Sequence, residues 1–146
     1  MADMTTRMVP VTELCDVERA RADRTYPAGT CYVTLSAAHD TVMQISEDGH
    51  IETRYAAIVP RVGVDAEYLK VVLDRTFPRW LAAHHTGINL QFGELSTLCV
   101  EWHDSEEMRN AVVEATNRMN ELLEAESRTI DGLKDLKQYL LVRMFS

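Results

Sequence analysis

Apolar residues in the last third of the chain recur at alternating spacings of four and three. They run through Met108, Val112, Ala115, Met119 and Leu122 and resume as Ile130, Leu133, Leu136, Leu140 and Met144. That period predicts one amphipathic helix over residues 104–146. Asp104 with Glu107 three positions on has capping-box spacing, and no proline follows to interrupt the helix. At 1.5 Å per residue it would run for about 60 Å, more than a small core can cover, so the seam is expected to pair with another helix. The alternative is a terminal helix folded back on its own domain. Glu114 with Arg118 and Glu124 with Arg128 are acid-before-base pairs at i,i+4 on the outer face. Glu126 and Thr129 fall where the first seam would continue, and Gly132 weakens the interior, so a phase shift or kink is expected there.

The first hundred residues carry shorter patterns. Val9 and Val11 alternate with polar neighbours, and a helical turn is expected after Thr12. Glu18–Thr25 is polar and holds Arg19, Arg21 and Arg24; it reads as a solvated loop or helix face, or as a phosphate-facing edge. Tyr26-Pro27-Ala28-Gly29 is a turn signal feeding a strand over Cys31–Ser36. A second strand is expected over Thr41–Ile45, a hairpin-type turn at Glu47-Asp48-Gly49, and one or two more strands over Ile51–Val59. Asp65 can cap a helix with Tyr68, Leu69, Val72 and Leu73 on one face, which Pro78 ends or divides from a second short helix carrying Trp80 and Leu81. Gly87 marks a stop, Ile88–Gln91 is extended, Phe92–Leu95 is a helical turn, and Leu98–Trp102 is a last strand. The fold class is α+β: a compact mixed sheet-and-helix domain over residues 1–103, then the coiled-coil-type helix over 104–146.

Composition narrows the partners. Net charge is −8; residues 1–103 hold nine basic and fourteen acidic side chains and residues 104–146 hold six and nine. Neither part has the positive field of a protein that grips phosphates non-specifically. Twelve of the fifteen basic residues are arginine, the residue suited to planar bidentate contacts, so a small arginine-lined surface is compatible with the acidic body. Three scattered cysteines, Cys15, Cys31 and Cys99, without CxxC spacing read as buried reduced thiols. No 18-residue apolar run is present, and the N-terminus has no apolar signal segment, so a cytoplasmic location is expected.

No nucleotide-binding glycine loop, HExxH or GxSxG motif occurs. Glu67 with Lys70 sits on an ordinary amphipathic helix, and adjacent His84 and His85 point in different directions, so neither makes a metal or catalytic site. No catalytic residue, metal or cofactor is expected, and the chain is read as a non-enzyme. Recognition chemistry remains: Ser36, His39, Arg54, Arg61, Arg79, His84, His85, Thr86, Asn89 and Gln91 stand at or near predicted turns and strand ends, where a rigid scaffold displays binding groups. Arginine can pair bidentately with guanine, and asparagine or glutamine with adenine.

Four stretches, in this order, resemble the DNA-specificity (S) subunit of type I restriction-modification enzymes. They are Tyr26–Thr30 running into Tyr32–Ser36; Val64–Leu69 with Val72-Leu73; Thr86–Leu90 with Leu95, Leu98 and Val100; and Ile130–Lys137 with Leu140-Leu141 and Met144-Phe145. The family's proline-rich joint with a Glu-Gln pair is replaced here by Glu101–Glu107. The resemblance implies a target recognition domain that reads a half-site in double-stranded DNA, and a spacer helix that packs on another helix and docks methyltransferase subunits. It implies one recognition domain and one spacer helix, half of an S subunit, with a homodimer restoring the two-fold arrangement. Met108, Val112, Met119, Leu122, Ile130, Leu133, Leu136, Leu140 and Met144 are then the expected helix-pairing interface. The alternative is a protein-interaction module of the same fold that does not read DNA.

Overall fold

The computed structural model describes residues 5–36, 38–84 and 92–145. Two compact units divide it, Met1–Asn110 and Ala111–Ser146. In chain order unit 1 contains β1 (Thr6–Pro10), a single helical turn α1 (Val11–Leu14), β2 (Cys15–Arg19), β3 (Cys31–Thr34), β4 (Val42–Gln44), β5 (Tyr55–Pro60), α2 (Ala66–His84), a 3₁₀ segment (Phe92–Thr97), β6 (Cys99–His103) and the first residues of α3 (Glu106–Phe145).

Two antiparallel sheets organise this unit. The larger has the order β2-β5-β3-β4. β5 lies inside it, and Ala56, Ala57, Ile58 and Val59 are all buried, so its continuous apolar run is that of a strand covered on both faces. Ala57 and Val59 pack with Ala20, Tyr26 and Ile51 on one face. The alternation of strand side chains puts Ala56 and Ile58 on the other. The smaller sheet pairs β1 with β6, Val9 opposite Val100. α2 packs on β6, where the Tyr68 and Trp102 rings meet edge-on at 4.6 Å.

Several expectations are corrected. The turn at Glu47–Gly49 does not join neighbouring strands: β4 and β5 are separated by β3, and Gly49 instead exchanges both backbone hydrogen bonds with Tyr26. The expected polar loop begins later, because Glu18 and Arg19 belong to β2 and pair with Ala57 and Ala56. Pro78 neither ends nor divides α2, which runs unbroken from Ala66 to His84 with Phe77, Trp80 and Leu81 buried around the proline. Asp65 caps it as expected, its Oδ1 accepting from the backbone N–H groups of Glu67 (2.9 Å) and Tyr68 (3.3 Å).

The cap of α3 is Ser105, not Asp104. Its Oγ accepts from Met108 N–H at 3.2 Å, while the Asp104 carboxylate takes Arg7 Nε at 2.7 Å. Serine wins because Arg7, paired across the sheet opposite Trp102, competes for the aspartate. Gly29 holds φ +92° in the turn before β3, and a Cβ there would lie 2.8 Å from that of Ala66, so both backbone and packing require glycine.

Unit 2 is the remainder of α3. The helix continues through Gly132 without a break, and Thr129 Oγ1 bonds back to the Ala125 carbonyl at 3.0 Å. Of the two expected ion pairs, Glu114–Arg118 is made at 2.7 Å; Glu124 and Arg128 form none among the described residues. Met108 and Val112 are half-buried, and the rest of the seam from Met119 to Met144 is 47–72% exposed. No helix among the described residues is long and apolar enough to cross a membrane.

Candidate functional site

The expected contact residues fall into three places. At one end of the larger sheet, Thr34, His39, Thr41, Met43, Arg54 and Tyr55 line an open depression of about 500 Å³. β3 and β5 bring Thr34 opposite Tyr55, and β4 adds Met43 beside Tyr32. His39 follows Ser36, whose carbonyl accepts His39 N–H at 3.2 Å and whose hydroxyl accepts Ala38 N–H at 3.3 Å. Arg54 is held within the lining: Nε lies 2.9 Å from a Glu52 carboxylate oxygen, and the guanidinium sits 4.8 Å from the centre of the Tyr55 ring. Its two terminal nitrogens have no protein acceptor among the described residues, so the fork end points outward as a pair of donors.

Arg61 is elsewhere. It stands just past the far end of the six-residue β5, about 23 Å from Arg54 by strand rise, with Nε 3.2 Å from Asp16 and Nη1 donating to the Glu13 carbonyl at 3.2 Å. These bonds tie β5 to β2 and to the turn before it.

Arg79 and His84 lie on α2. Arg79, with Arg75, Thr76, Trp80, Met8 and Glu101, lines a second depression of about 310 Å³ between α2 and the β1–β6 pair. The His84 ring stacks on Trp80 with centroids 4.9 Å apart, and its Nδ1 bonds the Trp80 carbonyl at 2.9 Å. His85, Thr86, Asn89 and Gln91, with the stop at Gly87, lie outside the described residues.

The arginine-rich stretch closes on itself. Glu18 receives Arg24 Nη1 at 2.6 Å and the Tyr26 hydroxyl at 2.8 Å, with Arg21 at 3.7 Å. Burial alone would raise the Glu18 pKa, but hydrogen bonds from Tyr26 and Arg24 and the guanidinium charges outweigh it and bring it below the ordinary 4.5. A folded pKa below the unfolded one means the carboxylate stabilises the fold above the ordinary value, and that contribution is lost as pH falls through the folded pKa. Wild-type protein is therefore expected to lose its stability advantage over Glu18→Gln as pH is lowered below 4.5, read as converging urea midpoints. A gap constant down to pH 3 would rule this out.

Burial pushes the Cys15 and Cys31 thiols up to about 12, which keeps them protonated and inert, while Cys99 is half-buried. No group of three or more His, Cys, Asp or Glu side chains able to hold a metal occurs among the described residues.

Sequence reasoning did not include Thr34, Thr41, Met43 and Tyr55, or Met8, Arg75, Thr76, Trp80 and Glu101. The i,i+4 spacing of Arg75 and Arg79 was a usable signal. The meeting of Thr34 with Tyr55 was not, since it depends on the strand order.

No protein-family model and no curated protein matches the sequence. Solved structures do. A type I restriction-modification S subunit from M. genitalium superposes with a TM-score of 0.67 at 12% identity over 82% of this chain. An HsdS subunit from Thermoanaerobacter tengcongensis gives 0.64 at 14% identity over 88%. The fold is that of the type I S subunits. A chain from a structure describing complex assembly and conformational transition of the type I R-M system gives 0.71 at 14% identity, again over 88%. This chain spans 40%, 41% and 42% of the three neighbours' own lengths, so its S-subunit fold corresponds to well under the whole of any of them. At these identities the agreement is one of backbone architecture.

Proposed function

We propose that this chain acts as the DNA-recognition component of a type I restriction-modification system. Unit 1 reads a half-site, α3 pairs with the α3 of a second copy, and the pair docks methyltransferase subunits. The observation that supports this reading is the S-subunit fold over 82–88% of the chain. Specificity, not catalysis, is its contribution.

Within unit 1 the depression at Arg54 suits a base edge better than a phosphate. Glu52 neutralises Arg54 locally, so the pair contributes little to backbone attraction, while the Nε contact fixes the guanidinium and leaves its terminal nitrogens for guanine O6 and N7. Met43 and the threonines beside it offer apolar and hydroxyl contacts. A second reading, an assembly module of the same fold that does not touch DNA, draws support from the net charge of −8 and from the number of arginines already paired with carboxylates.

A low-salt titration against a pool of random duplexes, with and without a type I methyltransferase subunit, separates the two. One enriched sequence containing a guanine is expected, and Arg54→Ala should relax the preference at that position by about 1–3 kcal/mol, roughly 5- to 150-fold. Absence of enrichment with any partner would establish the assembly module instead.

A further inference from the structure

Every basic side chain of unit 1 that forms a close ion pair does so with its own carboxylate or shares one at short range. Arg7 has Asp104 at 2.7 Å, Arg24 has Glu18 at 2.6 Å, Arg54 has Glu52 at 2.9 Å, Arg61 has Asp16 at 3.2 Å and Lys70 has Asp74 at 2.6 Å. Arg19 and Arg109 have no carboxylate partner among the described residues but are engaged otherwise, Arg19 over the Phe92 ring and Arg109 on the His103 and Asp104 carbonyls. The depression between α2 and the β1–β6 pair is different. Arg75 reaches Glu101 only at 3.9 Å, and Arg79 has no carboxylate within ion-pair distance among the described residues. The groove thus holds an unbalanced positive charge on a chain whose net charge is −8.

Its lining is of two kinds. Arg75 and Arg79 are one helical turn apart on α2, on the same side, and Thr76 also lines the groove. Opposite lies Met8, 64% exposed, placed beside Glu101 by the β1–β6 register, and Trp80 closes the apolar part. A guanidinium pair with a hydroxyl, next to an apolar wall, matches a nucleic-acid strand, which presents phosphate and sugar in alternation. A carboxylate-rich peptide would leave the Met8 and Trp80 surface unused.

We infer that this groove is a phosphate-backbone clamp for double-stranded DNA, in which Arg75 and Arg79 hold the strand and fix its register while the Arg54 depression reads bases. The inference rests on the DNA-recognition reading and adds to it a second contact surface with a different task. Phosphate contacts carry affinity and salt dependence without sequence preference, whereas base contacts carry preference. The two surfaces therefore separate experimentally.

The test is a titration of full-length protein, with its methyltransferase subunit if that is needed for retention, on one enriched and one scrambled duplex from 50 to 200 mM salt. The Arg75→Ala/Arg79→Ala variant should weaken binding to both duplexes by a similar factor and lower the slope of log K against log salt by about 2, one per lost phosphate contact. Glu101→Gln should act in the opposite direction, tightening both duplexes, a gain that misfolding cannot produce. An unchanged slope in the double variant, or no tightening in Glu101→Gln, overturns the clamp while leaving DNA recognition standing. Competition by polyglutamate with an unchanged DNA slope overturns it in favour of an acidic protein partner. Wild-type protein that retains no duplex at any salt overturns the clamp together with the recognition reading on which it rests.

Discussion

Replacing Leu133 and Leu140 by glutamate is expected to convert a dimer of this protein into monomers. The two positions lie seven residues apart on α3, hence on one stripe, and are 61% and 47% exposed in the single chain. Burying a leucine is worth about 2 kcal/mol, and a symmetric pair of helices buries each position twice. Loss of four leucines amounts to about 8 kcal/mol, close to six decades in dissociation constant, before the cost of placing carboxylates in an apolar seam is added. Sedimentation velocity at micromolar concentration reads the result directly. Arg128→Glu, on the outer face, should leave the mass unchanged. A dimer that survives the double substitution, or a wild-type chain that sediments as a monomer, would sink helix pairing.

Phe77→Ala is expected to cost about 3–5 kcal/mol, the range for removing a fully buried phenylalanine. Its position makes the loss more consequential than the volume alone. Pro78 follows it inside α2, lacking the N–H that would donate to the Asp74 carbonyl and crowding that carbonyl with its ring. In an isolated helix such a proline costs about 3 kcal/mol or more. The helix continues because Phe77, Trp80 and Leu81 are buried against the rest of unit 1, and Phe77 also stacks on Trp80 with ring centroids 5.9 Å apart. Without Phe77 the proline's preference would prevail, and the turn carrying Arg79 and His84 should fray. Urea unfolding gives the stability change, and hydrogen exchange over residues 78–84 gives the fraying. Pro78→Ala should do the reverse and raise stability. A Phe77→Ala loss under 1 kcal/mol, or a destabilised Pro78→Ala, would show that tertiary burial is not what carries the helix through.

Pro78 also shows where local reading stops. A proline's cost is a property of the backbone around it and is legible in the sequence; whether that cost is outweighed depends on surfaces contributed by residues distant in the chain. The same holds for the start of α3. Asp104 and Ser105 are both good caps, and the choice between them is made by Arg7, 97 residues away in sequence, which draws off the aspartate. The Glu47–Gly49 turn has the composition of a hairpin, yet β3 occupies the place beside β5 that a hairpin would give to β4.

Among the expected contact residues the division is similar. Arg54 and His39 meet at one depression because β3, β4 and β5 are adjacent, and Arg79 joins Arg75 because both lie on one side of α2. Arg61 is of the same residue type and, like Arg54, flanks β5, but Asp16 and the Glu13 carbonyl engage it. Residue type alone does not distinguish these cases. The distinction lies in which guanidinium nitrogens the fold occupies: Glu52 takes only Nε of Arg54, whereas Arg61 also donates Nη1 to the Glu13 carbonyl.

By itself the sequence determined the α+β class, the long amphipathic helix with its apolar seam, the Asp65 cap and the glycine turn before β3, since each rests on interactions within a few residues or on a repeating period. Only the tertiary structure decided the strand order, the persistence of α2 through Pro78, the cap of α3, and that Arg79 stands at a groove without a carboxylate partner among the described residues. Those outcomes are competitions between local preference and contacts across the chain, and burial and charge pairing at long range settle them.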